Sequence, residues 1–226
     1  MRAGPAPLTL VSSGSTPTRR LEEVMLAWAH QWLIREWHWP QAALFTAILL
    51  FLLLPVVAAT EGLVLALVFL QFPLYLVHQF EEHEGDRFRR YFNDRLIGIP
   101  DGLTPEATFW INALGVWGVI LAALYLAVYA TPAWGLIALY LSVINGVLHV
   151  VHAITRREYN PGLWTSLALL LPLGGWSLAQ VSRITGAPSH VHVLSAGFVA
   201  AVHLGIVAYV LRMQRVAQPG APEPRP

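Results

Sequence analysis

Phe72–Arg90 reads FPLYLVHQFEEHEGDRFRR, an apolar run that closes on a histidine and a pair of glutamates. A helical residue advances by about 100°. Glu81 and Glu82 therefore fall on either side of His78 and the three share one helix face, while His83 and Glu84 project elsewhere. Upstream the apolar run reaches back to Gln41, far more than the roughly 20 residues of one membrane crossing. The Thr60-Glu61-Gly62 break divides it into two spans, and the second ends in the charged stretch. This segment alone predicts a membrane protein built of helices that run up and down.

Composition agrees. Of 226 residues, 56% are hydrophobic and 12% charged, with a mean hydropathy of +0.55, which does not suit a water-facing surface. There is no cysteine, so disulfides are excluded and any metal must take nitrogen and oxygen ligands. A net charge of +1 argues against nucleic acid as a partner. The lipid bilayer is the expected one.

Taken in order, residues 1–20 read as a disordered tail rich in Pro, Gly, Ser and Thr, and 21–39 as an amphipathic helix lying at the membrane interface, ended by Pro40. Residues 40–214 form a six-helix transmembrane domain and 215–226 a second disordered tail. After the two spans before His83, a polar segment from Gly85 to Glu106 leads to a third span ending near Tyr129. A fourth covers about Ala133–Ile154, a fifth, interrupted by Pro172, about Leu163–Leu178, and a sixth about Val193–Met213. The expected fold class is an all-α polytopic membrane helix bundle. Six spans put both termini on one side with every arginine except Arg183. By the positive-inside rule that side is the cytoplasm, and the protein belongs in the cell's inner membrane.

That topology brings distant residues to one depth. The second span ends with His78, Glu81 and Glu82; the fourth carries Asn145, His149 and His152 at i, i+4 and i+7, a polar stripe within about 60° of arc. The two stripes are expected to approach within about 5 Å, the span of atoms that share one ion. Asn112 in the third span adds a polar group at that level, and His203 in the sixth is a possible deep ligand. Polar groups inside spans also serve as interhelical hydrogen bonds. A convergence from separate helices points instead to a site. Glu61, His190 and His192 lie on the opposite side and read as loop residues; Trp37, Trp39, Trp110 and Trp164 read as interface belt.

The motif His78-Gln79-Phe80-Glu81-Glu82 resembles the family of bacterial integral-membrane proteins named for the sequence HXXEE. That resemblance implies an active site at His78, Glu81 and Glu82 within membrane helices. The chemistry follows from the residues. His nitrogen with Glu oxygen suits a divalent metal, iron or zinc, held by His78, Glu81, Glu82, His149 and His152, with Asn145 beside them. The expected activity is that of a hydrolase or oxidoreductase acting on a lipid-like substrate from the cytoplasmic side; Arg87, Arg89 and Arg90 are read first as fixing the orientation in the membrane and second as a hold for an anionic headgroup. A metal-free isomerase or cyclase moving protons between Glu and His is the alternative. A small-molecule or ion carrier comes third, since no repeat between the halves supports it.

Overall fold

The computed structural model describes residues 17–99 and 102–217, and among these it contains helices and no strand. Most of the two expected tails, 1–20 and 215–226, lies outside the described residues. Where they are described, Pro17–Arg20 already belong to a helix, and the last helix continues to Ala217.

The chain divides into two units, Met1–Trp37 and His38–Pro226. In the first, α1 (Pro17–Gln31) widens into a π-helical turn over Trp32–Glu36, closed by the Trp37 amide on the Trp32 carbonyl at 2.8 Å. Helical order stops there, short of the expected Trp39. Pro40 does not end this helix but lies in the first turn of the next one, where its missing N–H costs nothing.

The second unit is a helix bundle whose first element, α2 (Trp39–His83), folds back on itself. Gly62 has φ 82° and ψ 175°, open to glycine and strained for other residues. The ends of α2 consequently meet. The Trp39 and His83 rings lie 4.9 Å apart, Gln41 Nε2 donates to Glu84 Oε1 at 3.1 Å, and Ala43 and Ala47 pack with Leu76. Then come α3 (Pro105–Tyr129), α4 (Pro132–Arg156), α5 (Leu163–Thr185) and α6 (Ser189–Ala217). Five helices among the described residues are long and apolar enough to cross a membrane. With α2 reversed at Gly62, they supply six apolar arms.

Local chemistry sets the boundaries. Thr104 caps α3 by accepting the Ala107 amide at 3.1 Å, with Pro105 in the first turn and Glu106 facing the positive end of the helix. α5 runs past the expected Leu178 to Thr185, where Gly186 at φ 58° stops it. Pro172 fails to end it because Ser166–Gly174 is wound as a π-helix, which accommodates a residue that cannot donate.

The second arm of α2 is the axis of the bundle. Val68, Leu74, His78 and Gln79 are all but inaccessible, and Val68 and Leu74 pack in one cluster with Ile120 of α3, Leu136 and Leu139 of α4, Leu170 of α5 and Val199 of α6. The first arm is peripheral and exposes Phe45, Leu52 and Val56, a surface suited to lipid. The motif thus sits at the end of the most enclosed helix. Trp39, expected in an interface belt, is buried against His83, Phe109 and Trp117.

The segment after the motif is held to it. Arg87 donates to the Glu84 and Phe80 carbonyls, Arg90 to the Gly85 carbonyl, and Arg89 pairs with Asp86. Arg87 thus meets one of the last carbonyls of α2, and Arg89 and Arg90 are engaged within the following turn.

Candidate metal centre

Two helices, α2 and α4, supply the centre. His78 and Glu82 are one turn apart on α2, so their side chains overlie each other. His149 comes from α4, its ring edge-on to that of His78 with centroids 4.9 Å apart. Glu82 lies between the two, its Oε2 3.7 Å from His78 Nε2 and its Oε1 3.6 Å from His149 Nε2. One ligand atom from each of these three buried residues can be chosen so that all lie within 4.8 Å of one another. Ligands at about 2.0–2.2 Å from a shared ion sit at most about 4.4 Å apart, so seating an ion would draw these side chains closer together.

The outer nitrogens explain why the inner ones face the carboxylate. Thr165 at the start of α5 donates its hydroxyl to Glu81 Oε2 at 2.6 Å, which leaves its oxygen to accept from His78 Nδ1 at 2.8 Å. Asn160 donates Nδ2 to the His149 carbonyl at 3.0 Å and thereby turns its Oδ1 to His149 Nδ1 at 2.6 Å. Both imidazoles therefore carry their proton on Nδ1 and direct the Nε2 lone pair inward. Anchoring the far nitrogen of a histidine is how metal ligands are oriented. Two lone pairs and a carboxylate converge in this buried space, where the Asn145 amide meets His78 Nε2 and the His83 ring meets Glu82, and a cation seated among these acceptors would be stabilised by them. Asn145 Nδ2 meets His78 Nε2 at 2.9 Å; a half-turn of its amide would present oxygen to an ion instead.

The 157–162 loop is the lid of this centre. Gly162, at φ 96°, presses its backbone against both rings: a Cβ there would stand 2.7 Å from His78 Cε1 and 2.8 Å from His149 Cε1. Tyr159 donates to Glu81 Oε1 at 2.9 Å. Burial, followed by that carboxylate, pushes the Tyr159 phenol up to about 12, so it remains a donor throughout the physiological range.

The residues singled out from sequence separate into groups. His78, Glu82 and His149 come together, with Asn145 one hydrogen bond away. Glu81, expected as a ligand, is turned outward and accepts from Tyr159, the Trp164 and Thr165 amides and the Thr165 hydroxyl. It caps α5 from a neighbouring helix, satisfying amides that have no intrahelical partner. His152, also expected as a ligand, lies one turn beyond His149 against Tyr91, with 3.5 Å between Nε2 and the phenol oxygen. Asn112 is tied to Gln79 at 2.7 Å and to the Thr108 carbonyl at 2.8 Å, and His203 Nδ1 donates to the Val199 carbonyl at 2.9 Å. Asn112, His152 and His203 do line one cavity of about 380 Å³ with Glu82 and His149.

His83, which the helical wheel sends away from the motif, is part of the centre. Its Nε2 lies 3.1 Å from Glu82 Oε2 and it is buried. It is the last residue of α2, next to Glu82 in sequence, and its ring packs between Trp39 and Phe88. Thr165, Asn160 and Gly162 were legible only as a turn and a helix start.

Residues 69–177 match the model of a family described as a protein of unknown function with HXXEE motif. Neither the curated proteins nor the solved structures compared with the chain gave a match.

Proposed function

We propose, for this member of the HXXEE-motif family, that His78, Glu82 and His149 hold a divalent metal ion, iron or zinc, and that the protein is a membrane enzyme acting on a hydrophobic substrate. The observation that carries this is the pair of imidazoles locked by Thr165 and Asn160 with both Nε2 lone pairs aimed at one buried carboxylate. Nitrogen and oxygen donors in that ratio suit zinc or non-haem iron. A bound ion would polarise a substrate oxygen or activate water or oxygen for hydrolysis or oxidation. The chain's own part is to exclude solvent through the Tyr159–Gly162 lid and to offer the cavity beside Glu82 to the substrate. The motif end carries Arg87, Arg89, Arg90, Arg95, Arg156 and Arg157 against Arg183 at the other, which supports a cytoplasmic placement of the site.

A metal-free reading has its own support. With Asn145 on His78 Nε2 and His83 on Glu82, the same residues form a hydrogen-bonded acid–base network in which Glu82 and His83 can exchange a proton, as an isomerase requires. Metal analysis of purified wild-type protein beside His149→Ala decides between them. About one ion per chain, lost in the variant, supports the metal enzyme; folded protein that takes up no zinc, iron or manganese favours the acid–base one.

A further inference from the structure

We propose that the substrate of this site is a lipid with a long hydrocarbon tail, and that the tail lies in the groove between α3 and α6, running away from the motif. The inference deepens the enzyme assignment above and rests on it for the identity of the reacting end. The cavity that begins at Glu82, His149 and His152 reaches Ile111 and Gly115 of α3 and Ile206 of α6. Those same residues border a second cavity of about 480 Å³. The second in turn shares Leu114 with a third, of about 610 Å³, between Leu126, Ile137, Leu194 and Phe198.

The second cavity also meets Thr104 and Glu106 at the start of α3, and the path turns apolar beyond Leu114. At its head stand Glu82, His149, His152 and Tyr91, able to meet oxygen-bearing groups. Every residue of the third cavity is apolar or glycine apart from the indole of Trp134. From Asn112, level with the centre, to Leu126 the path follows α3 for roughly 21 Å at about 1.5 Å per residue. A small polar substrate would use only the head of it. An apolar path of that length, continuous with a polar centre, matches a lipid whose functional group is at one end. α3 and α6 both lean on α4. The groove between them therefore has a floor and, on the side away from α4, an opening toward the bilayer through which a tail can enter sideways.

The test uses the full chain in phosphatidylcholine vesicles and a long-chain fatty acid carrying a diazirine on its terminal carbon. After irradiation, adducts are mapped by peptide mass spectrometry, and metal content is measured on the same samples. Adducts should concentrate near Leu126, Ile137, Leu194 and Phe198, exceed those at Leu52 and Val56 of the peripheral arm at least severalfold, and be displaced by unlabelled long-chain but not short-chain fatty acid. Gly115→Trp should reduce them about tenfold, because a Cβ at Gly115 meets nothing within 4 Å and the ring enters the neck of the groove. Leu126→Trp, at the far end, should keep binding and shorten the longest chain that competes; it carries the test if Gly115→Trp fails to fold. Labelling spread evenly over the lipid-facing surface without competition, or unchanged in both variants, overturns the proposal. Competed groove labelling in protein that binds no metal would instead overturn the metal assignment and keep the groove.

Discussion

Replacing Gly162 by alanine touches the centre without removing any of its polar groups. Two costs add. At φ 96° a residue with a Cβ is in a left-handed conformation, at about 1–2 kcal/mol. The new methyl would also stand 2.7 Å and 2.8 Å from the Cε1 atoms of His78 and His149 and 3.2 Å from His149 Nδ1. Carbon contacts relax only near about 3.5 Å, so both rings must retreat by about 0.7 Å, and such overpacking costs about 1–3 kcal/mol. Together the change destabilises by about 2–5 kcal/mol, a fall in Tm of roughly 4–20 °C for a chain of this size. Displacing both ligands from their anchors should weaken metal binding by roughly 10–100-fold. Thermal unfolding of the detergent-purified protein and competitive metal titration measure the two. Gly186→Ala is the control, since Gly186 has φ 58° with nothing near its Cβ position: it should show the backbone cost and keep the metal. A Gly162→Ala protein with wild-type Tm and wild-type metal affinity would refute the contact between lid and ligands.

Other substitutions probe the division of labour. Glu81→Ala strands the donors of Tyr159, Trp164 and Thr165 and should cost about 2–4 kcal/mol in thermal unfolding, while Glu82→Gln should keep Tm near wild type and lose the metal; equal metal loss at low cost in both would show Glu81 to be a ligand. His78→Ala and His149→Ala should each lower bound metal to background, with His152→Ala and His203→Ala retaining most of it by elemental analysis; loss in the latter pair would return His152 or His203 to the ligand set. For orientation, a cysteine replacing Asp94 should resist an impermeant thiol reagent in intact cells and one replacing His190 should react, and the reverse pattern would turn the protein over.

The helices were largely legible because a bilayer demands long apolar runs and few residues interrupt them. Thr60-Glu61-Gly62 marked the α2 reversal, and the polar segment Gly85–Glu106 marked the approach to α3. α5 was read too short because Gln180, Ser182 and Arg183 lower its hydropathy, although its backbone continues to Thr185. The site was legible to the level of helix faces and no further. Glu81 and Glu82 flank His78 at similar angles, and only the arrival of α5 at Glu81 separates a capping carboxylate from a ligating one. His149 and His152 share a stripe, yet a helical turn of separation sends the second toward Tyr91. His83 escaped because the wheel separates it from Glu82 by about 100°, and only the packing of Trp39 and Phe88 on its ring shows that it stays beside the carboxylate.

X-ray absorption at the edge of the bound metal, on wild-type protein loaded with zinc or iron, reads the atoms that hold the ion. Two imidazole nitrogens and carboxylate oxygen at about 2.0–2.2 Å are expected, with the outer-shell imidazole scattering falling by about half in His149→Ala for whatever metal that variant still takes up under excess ion. An all-oxygen shell, or imidazole scattering that His149→Ala leaves unchanged, would contradict an ion held between His78, Glu82 and His149.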